Sequence, residues 1–416
     1  MTLPTPNASP LHARSSAATP RAPWAARSAH ALLARMQGEA LLLHDARGPH
    51  RLGQGEPAPG LRLRIHDDRV YARTLRDGDI GFAETYLEGL WDTEHLVGLL
   101  QLFLRQREAL RDAVYGRPWA RVLHGLRHLS NRNTRAGSRR NIGAHYDLGN
   151  DFYALWLDPS WNYSSAWWGD TPALGFEQAQ ERKMDRALAE VGLREGMRLL
   201  EIGCGWGALA ERAARRGAHL TGVTLSTEQL AFARRRLGEA GLAGSTDLRL
   251  QDYRDLRAEA ARGQRYDGIV SIEMVEAVGE AWWPTWFETL RACLRPGGRA
   301  CVQSIVIADA LFDDYRRGSD FIQRHVFPGG LLPSRAAFVE QARRAGLEVV
   351  NELAFGGDYA RTLALWSAAF EAKLPQVRAL GHDERFIRLW RFYLAYCEAA
   401  FAARQTDVIQ FTLRAR

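Results

Sequence analysis

Between residues 197 and 307, short runs of consecutive apolar residues alternate with longer stretches in which apolar positions recur every three or four residues. The first kind predicts buried strands and the second amphipathic helices. Strands are expected at 197–202, 219–225, 246–252, 266–272 and 299–307, with helices at 206–216, from Thr227 onward and at 280–294; a further helix is expected over 176–192. Strands and helices that alternate through short connections predict an α/β fold with a parallel sheet covered on both faces. Upstream, residues 31–45 pass from helical to strand-like spacing, 61–75 from alternation to helical spacing, and 78–110 are apolar at helical intervals. These segments predict a small α/β domain over 30–130. The polar run SNRNTRAGSRRN (130–141) suits a linker, placed at 131–142, ahead of a second domain over 143–416. The first 29 residues, rich in Pro, Ser, Ala and Thr, read as a disordered tail.

Composition narrows the picture little. The 416 residues carry a net charge of +7, almost all of it from arginine, and Lys183 and Lys373 are the only lysines. Four cysteines without a C-x-x-C pair suggest neither a disulfide framework nor a zinc site, and no metal is expected. A reducing cytosol fits that usage. No stretch approaches the roughly 20 apolar residues of a membrane span. From Arg105 to Arg140, ten arginines face only Glu108 and Asp112, with Trp119 and several leucines interspersed. A solvated linker, a surface for anionic phospholipid and a nucleic-acid contact all remain open for this stretch; no nucleic-acid motif accompanies it.

Chemistry enters with EIGCGWG (201–207), where a strand turns sharply on three glycines. Gly203 and Gly205 would let backbone approach a ligand with no Cβ in the way. A dinucleotide would also need an acid about 20 residues on for its ribose. The next strand ends TGVTLSTEQ, without an acid before Glu228, which favours S-adenosylmethionine over a nicotinamide. The segment 144–170 interleaves eight aromatic residues, among them Tyr163, Trp167 and Trp168, with Asp147, Asn150, Asp151, Asp158 and Asn162. Aromatic faces attract cations, and a sulfonium or carbocation would be stabilised between them.

In order and at matching intervals, HYDLGNDFY, YSSAW, EIGCGWG, GVTLSTEQ and MVEAVG (274–279) resemble the cyclopropane-fatty-acyl-phospholipid synthases and their mycolic-acid relatives. The likeness covers roughly residues 60–416, and GDIGFAETYLEGLW (78–91) is similar to the N-terminal domain of the phospholipid-acting members. It implies a Rossmann-like class I methyltransferase sheet and methyl transfer from S-adenosylmethionine to the cis double bond of an unsaturated phospholipid acyl chain. Ring closure would follow when bound bicarbonate removes a proton from the carbocation. The resemblance assigns Tyr163, Ser164, Gly203, Gly205, Thr224, Gln229 and Tyr253 to the cofactor, and Glu276, Tyr359 and the Ile305 backbone N–H to the bicarbonate site. Two members of that site depart from the family pattern: YSSAW places Ser165 where Cys is expected, and QSI places Gln303 where His is expected. A weaker base would favour hydride rearrangement and a methylene or methyl branch instead of a ring; a lipid-binding relative without activity is a further alternative. The acyl chain is expected against Phe321, Phe327, Leu331 and Trp366. The partners implied are unsaturated phospholipid and an anionic membrane surface, met peripherally from the cytoplasm, with a homodimer left open.

Overall fold

The computed structural model describes residues 23–110 and 148–415. The N-terminal unit opens with α1 (Trp24–Leu33), so the tail expected to reach residue 29 gives way to a helix whose Ala25 and Ala26 are buried. A four-stranded mixed sheet follows, in the order β2-β1-β3-β4, from β1 (Gln37–Asp45), β2 (Gly48–Leu52), β3 (Gln54–Ile65) and β4 (Trp91–Thr93). Two helices cover it, α2 (Arg69–Leu87) and α3 (Leu96–Arg105). The expected helical run over 78–110 is thus divided: Gly78 breaks α2 with φ 66° and ψ −138°, and the three residues of β4 interrupt the rest. Residues 111–147, which hold the expected linker and most of the basic stretch, lie outside the described residues. Of that stretch, Arg105 pairs with Glu39 at 2.7 Å.

Among the described residues, the larger unit opens with α4 (Asn150–Tyr153) and α5 (Phe176–Glu190). Then β5 (Arg198–Ile202), α6 (Ala208–Ala214), β6 (His219–Thr224), α7 (Thr227–Glu239), β7 (Thr246–Leu250), α8 (Leu256–Ala261), β8 (Tyr266–Ile272), α9 (Trp283–Cys293) and β9 (Leu294–Ile307) alternate, as expected except for the additional short helix α8. Beyond them come α10 (Asp309–Arg317), α11 (Phe321–His325), α12 (Arg335–Arg344), β10 (Leu347–Ala354), α13 (Gly356–Ala372), α14 (Leu374–Ala379), α15 (Glu384–Ala402) and β11 (Thr406–Ala415). The seven strands run β10-β11-β9-β8-β5-β6-β7. Six strands share one direction and β11 alone runs against them, antiparallel between β9 and β10, so the sheet is mixed and not purely parallel. Strand order reverses at β5, which pairs β6 on one side and β8 on the other. In open α/β sheets a ligand crevice forms beyond the carboxyl ends of the strands at such a point.

The two units share one apolar core, in which Trp91 of β4 joins Phe152 of α4 and Trp390 of α15. Arg388 of α15 rivets them. Its guanidinium lies 4.0 Å from the Tyr86 ring and donates to the backbone carbonyls of Tyr86 and Trp91, the latter at 2.8 Å, and to Asp92 at 2.8 Å. A second tie joins Glu84 of α2 to Arg324 and His325 of α11, at 2.9 and 3.3 Å.

Candidate active site

A cavity of about 500 Å³ opens at the switch point. Its wall takes Glu201, Gly203 and Gly205 from the end of β5, Thr224 from β6, and Glu273 and Glu276 from the segment after β8. It extends past Ile305, Tyr359 and Tyr393 to α10 and α11, and reaches Ile80, Leu100 and Phe103 of the N-terminal unit. One chamber therefore joins the glycine turn to a long, largely apolar space. Tyr163, Trp161, Trp206, Tyr359, Tyr393 and Phe401 supply aromatic walls.

The turn has the form a ligand cradle needs. Gly203 has φ +89°, and a Cβ there would stand 3.1 Å from Cγ of Met274; Gly205 has φ +49° with open space where its Cβ would be. The Gly203 and Cys204 N–H groups donate to the Val223 carbonyl at 2.9 and 3.1 Å, which pins the turn against β6. Thr224 Oγ1 donates to Gln229 Oε1 at 3.2 Å, and Tyr253 is buried in the same wall. Glu201 is buried with Oε2 unpartnered, and burial pushes its carboxyl up to about 8 against the pull of the Lys183 ammonium. An acceptor without a donor in the wall fits the amino and hydroxyl donors of S-adenosylmethionine. The Tyr163 hydroxyl lies 2.7 Å from that of Tyr393, and Ser164 Oγ accepts from Lys183 Nζ at 2.5 Å. Burial lowers this lysine to about 8, while Glu273, Asp158 and Glu201 favour its charge.

At the carboxyl end of β8 the groups expected to surround an anion converge on a side chain of the protein. Glu273 Oε1 accepts from the Ser165 N–H at 2.9 Å and from Gln303 Nε2 at 2.7 Å, and Oε2 accepts from the Tyr359 hydroxyl at 2.6 Å. The Gln303 amide is fixed in this sense because its Oε1 accepts from Gln410 Nε2 at 2.9 Å. The Ser165 hydroxyl turns away to the Ala166 carbonyl, so serine contributes its backbone and not its side chain. The Ile305 N–H donates to Glu276 Oε1 at 2.5 Å, and Glu276 Oε2 is buried without a partner. Burial, opposed by Tyr359 and Lys183, raises Glu273 above the ordinary carboxylate range. Burial and the Glu273 charge push Glu276 up to about 8, so the neutral form of Glu276 is favoured beside Glu273.

Glu273 and Lys183 are the residues that sequence reasoning missed. Signals existed: SIEMVEAVG carries two glutamates three apart just past a strand, and an arginine-rich chain keeps a lysine inside a helix. Of the four residues expected along the acyl chain, Phe327 and Leu331 line the cavity, whereas Phe321 and Trp366 are fully buried core. Outside the cavity, His30, Asp45 and His50 could approach a metal together, but Arg47 already pairs with Asp45 at 2.5 Å.

The family model described as mycolic acid cyclopropane synthetase matches residues 133–411. A tuberculostearic acid methyltransferase of Mycobacterium tuberculosis is 39% identical over 366 residues, covering 84% of this chain and 82% of the relative. The cyclopropane-fatty-acyl-phospholipid synthase of Escherichia coli is 33% identical over 351 residues, covering 84% and 86%. A solved mycolic acid cyclopropane synthase complexed with SAH and CTAB superposes with a TM-score of 0.61 at 32% identity, over 66% of this chain and 97% of that one.

Proposed function

Because the chain belongs to the mycolic acid cyclopropane synthetase family, and is thereby an S-adenosylmethionine-dependent methyltransferase of lipid acyl chains, we propose that it methylates the cis double bond of an unsaturated phospholipid acyl chain. The observation that carries this reading is the single chamber that joins the glycine turn, a buried carboxylate and an apolar, aromatic-walled space. S-adenosylmethionine, when bound, supplies an electrophilic methyl carbon, which the alkene π pair takes as the carbon–sulfur pair withdraws to sulfur. Gly203, Gly205, Thr224, Gln229, Tyr253, Tyr163 and Ser164 would hold it. The remaining work falls to the chamber. Its rings face the cationic lipid that results, water is kept away, and a carboxylate receives a proton.

Two products can leave this cation. Proton loss from the new methyl group closes a cyclopropane ring, as the name of the Escherichia coli relative suggests. A hydride shift before proton loss leaves a methylene branch, which a separate reductase would convert to methyl; the 39% identical relative, named for tuberculostearic acid, favours this second reading. Phospholipid is the proposed carrier because the N-terminal unit lines the far part of the chamber. No helix among the described residues is long and apolar enough to cross a membrane; the proposal has the lipid met by peripheral contact from the cytoplasmic side. Incubation with labelled S-adenosylmethionine and vesicles of unsaturated phospholipid tests the reading. Label is expected in the acyl chains, and hydrogen uptake on catalytic hydrogenation separates the methylene product from the ring. Label absent from the lipid, or confined to head groups, would refute the proposal.

A further inference from the structure

A bicarbonate does not fit the place that the resemblance assigns to it. Three donors of that place, the Ser165 N–H, the Gln303 amide and the Tyr359 hydroxyl, all point at the Glu273 carboxylate. The fourth, the Ile305 N–H, is spent on Glu276. An added anion would find its donors taken and two carboxyl groups beside it, each of which would repel it when ionised. From this geometry we infer that Glu273 is the base of the methyl transfer proposed above, a carboxylate built into the chain that makes bicarbonate unnecessary.

The backbone supports the assignment independently. Glu273 has φ +49°, the left-handed region, directly after the last residue of β8. Glycine takes up that conformation freely, and a residue with a side chain does not. A strained residue at the carboxyl end of a central strand, inside a ligand chamber, is where strain accompanies function. The left-handed turn is held by the Glu273 N–H, which donates to the Gln303 carbonyl at 2.8 Å. The Gln410–Gln303 amide chain then fixes one donor to the carboxylate, and Arg186 fixes Gln410 at 2.6 Å. Gln303 and a backbone N–H are neutral donors, suited to holding a carboxylate while leaving its capacity for a proton intact.

The proton transfer balances without a further reactant. Once the alkene has bonded to the methyl carbon, one C–H bond of that methyl breaks. Its electron pair becomes the third ring bond or, after a hydride shift, the π bond of the methylene. The proton goes to a Glu273 oxygen and leaves to water after turnover.

The test compares the wild type with Glu273→Gly and Glu273→Gln. Glycine relieves the left-handed φ and vacates the anion place; glutamine fills it without a base. SAH affinity equal to wild type shows that each variant is folded. Binding of carbon-13 bicarbonate to the SAH-loaded proteins, read by NMR, is expected for Glu273→Gly alone. In carbonate-free buffer the wild type should work at full rate and gain nothing from added bicarbonate. Glu273→Gly should lose about a hundredfold or more, the usual worth of a general base, and regain rate as bicarbonate or formate is added. Glu273→Gln should lose rate and not respond. The inference is overturned if wild-type turnover requires bicarbonate, if the wild type binds it as well as Glu273→Gly does, or if Glu273→Gly is as fast as wild type without any anion. Should no protein transfer label, the methyl-transfer reading fails, and the bicarbonate-binding comparison still decides whether Glu273 fills the anion place.

Discussion

Substituting Tyr359 by Phe removes one oxygen, and that oxygen donates the 2.6 Å hydrogen bond to Glu273 Oε2. The donor serves the ionised carboxylate. Burial disfavours the charge of Glu273, while Tyr359, Lys183, Ser165 and Gln303 restore part of it. A hydrogen bond to a charged group contributes about 1.5–3 kcal/mol. Since 1.36 kcal/mol corresponds to one pKa unit, its loss should raise the Glu273 pKa by about 1–2 units. The direction follows because the charged form alone loses a partner. Methyl transfer needs the charged form, both to face the cationic lipid and to accept its proton. The acid limb of the kcat/KM profile should therefore move to higher pH by that amount, with the rate well above the limb reduced much less. The assay is transfer of label from S-adenosylmethionine to unsaturated vesicles across pH 5 to 9, a window set by the raised Glu273 and by Glu276 at about 8. If Tyr359 only packs, the variant loses rate equally at every pH. An acid limb that stays in place, or moves to lower pH, refutes the reasoning.

Glu276→Gln mimics the neutral form that burial and the Glu273 charge favour, and keeps an acceptor for the Ile305 N–H. It should keep neutral-pH turnover within about one order of magnitude, far less than the loss of a general base, and weaken any decline above about pH 8; loss of all turnover at pH 7 would show that Glu276 works as an anion. Gly203→Ala places a Cβ 3.1 Å from Met274 in a left-handed backbone, so calorimetry should find SAH binding weakened about tenfold or more; unchanged affinity would contradict the cradle. Arg388→Ala leaves the Tyr86 and Trp91 carbonyls without this donor where the two units meet, and should lower unfolding stability by about 1–3 kcal/mol in urea titration, against no change if the contact is incidental.

The parallel half of the sheet was legible because strands such as β5, β6 and β8 are short, mostly apolar runs, and the helices between keep their period. The edge was not. β10 and β11 lie beyond the alternating run that ends at 307, and the place of β11 between β9 and β10 is set by pairing far along the chain. Three-residue β4 leaves no periodic trace. The glycine turn that lines the cavity was legible because its conformation is set locally. The base was hidden for a physical reason: whether Glu273 or Glu276 faces the donors depends on a φ of +49°, which no pattern of residue types displays. The departures at Ser165 and Gln303 were visible, and they make sense once a carboxylate from the chain occupies the space between them.

The central claim, that an acyl alkene takes a methyl carbon which then loses a proton inside this chamber, is tested most directly with S-adenosylmethionine carrying a trideuterated methyl group. Mass spectrometry of the isolated fatty acids should find two of the three deuteriums on the added carbon, whether it sits in a ring or in a branch. Retention of all three, or label found only outside the acyl chain, would contradict the account.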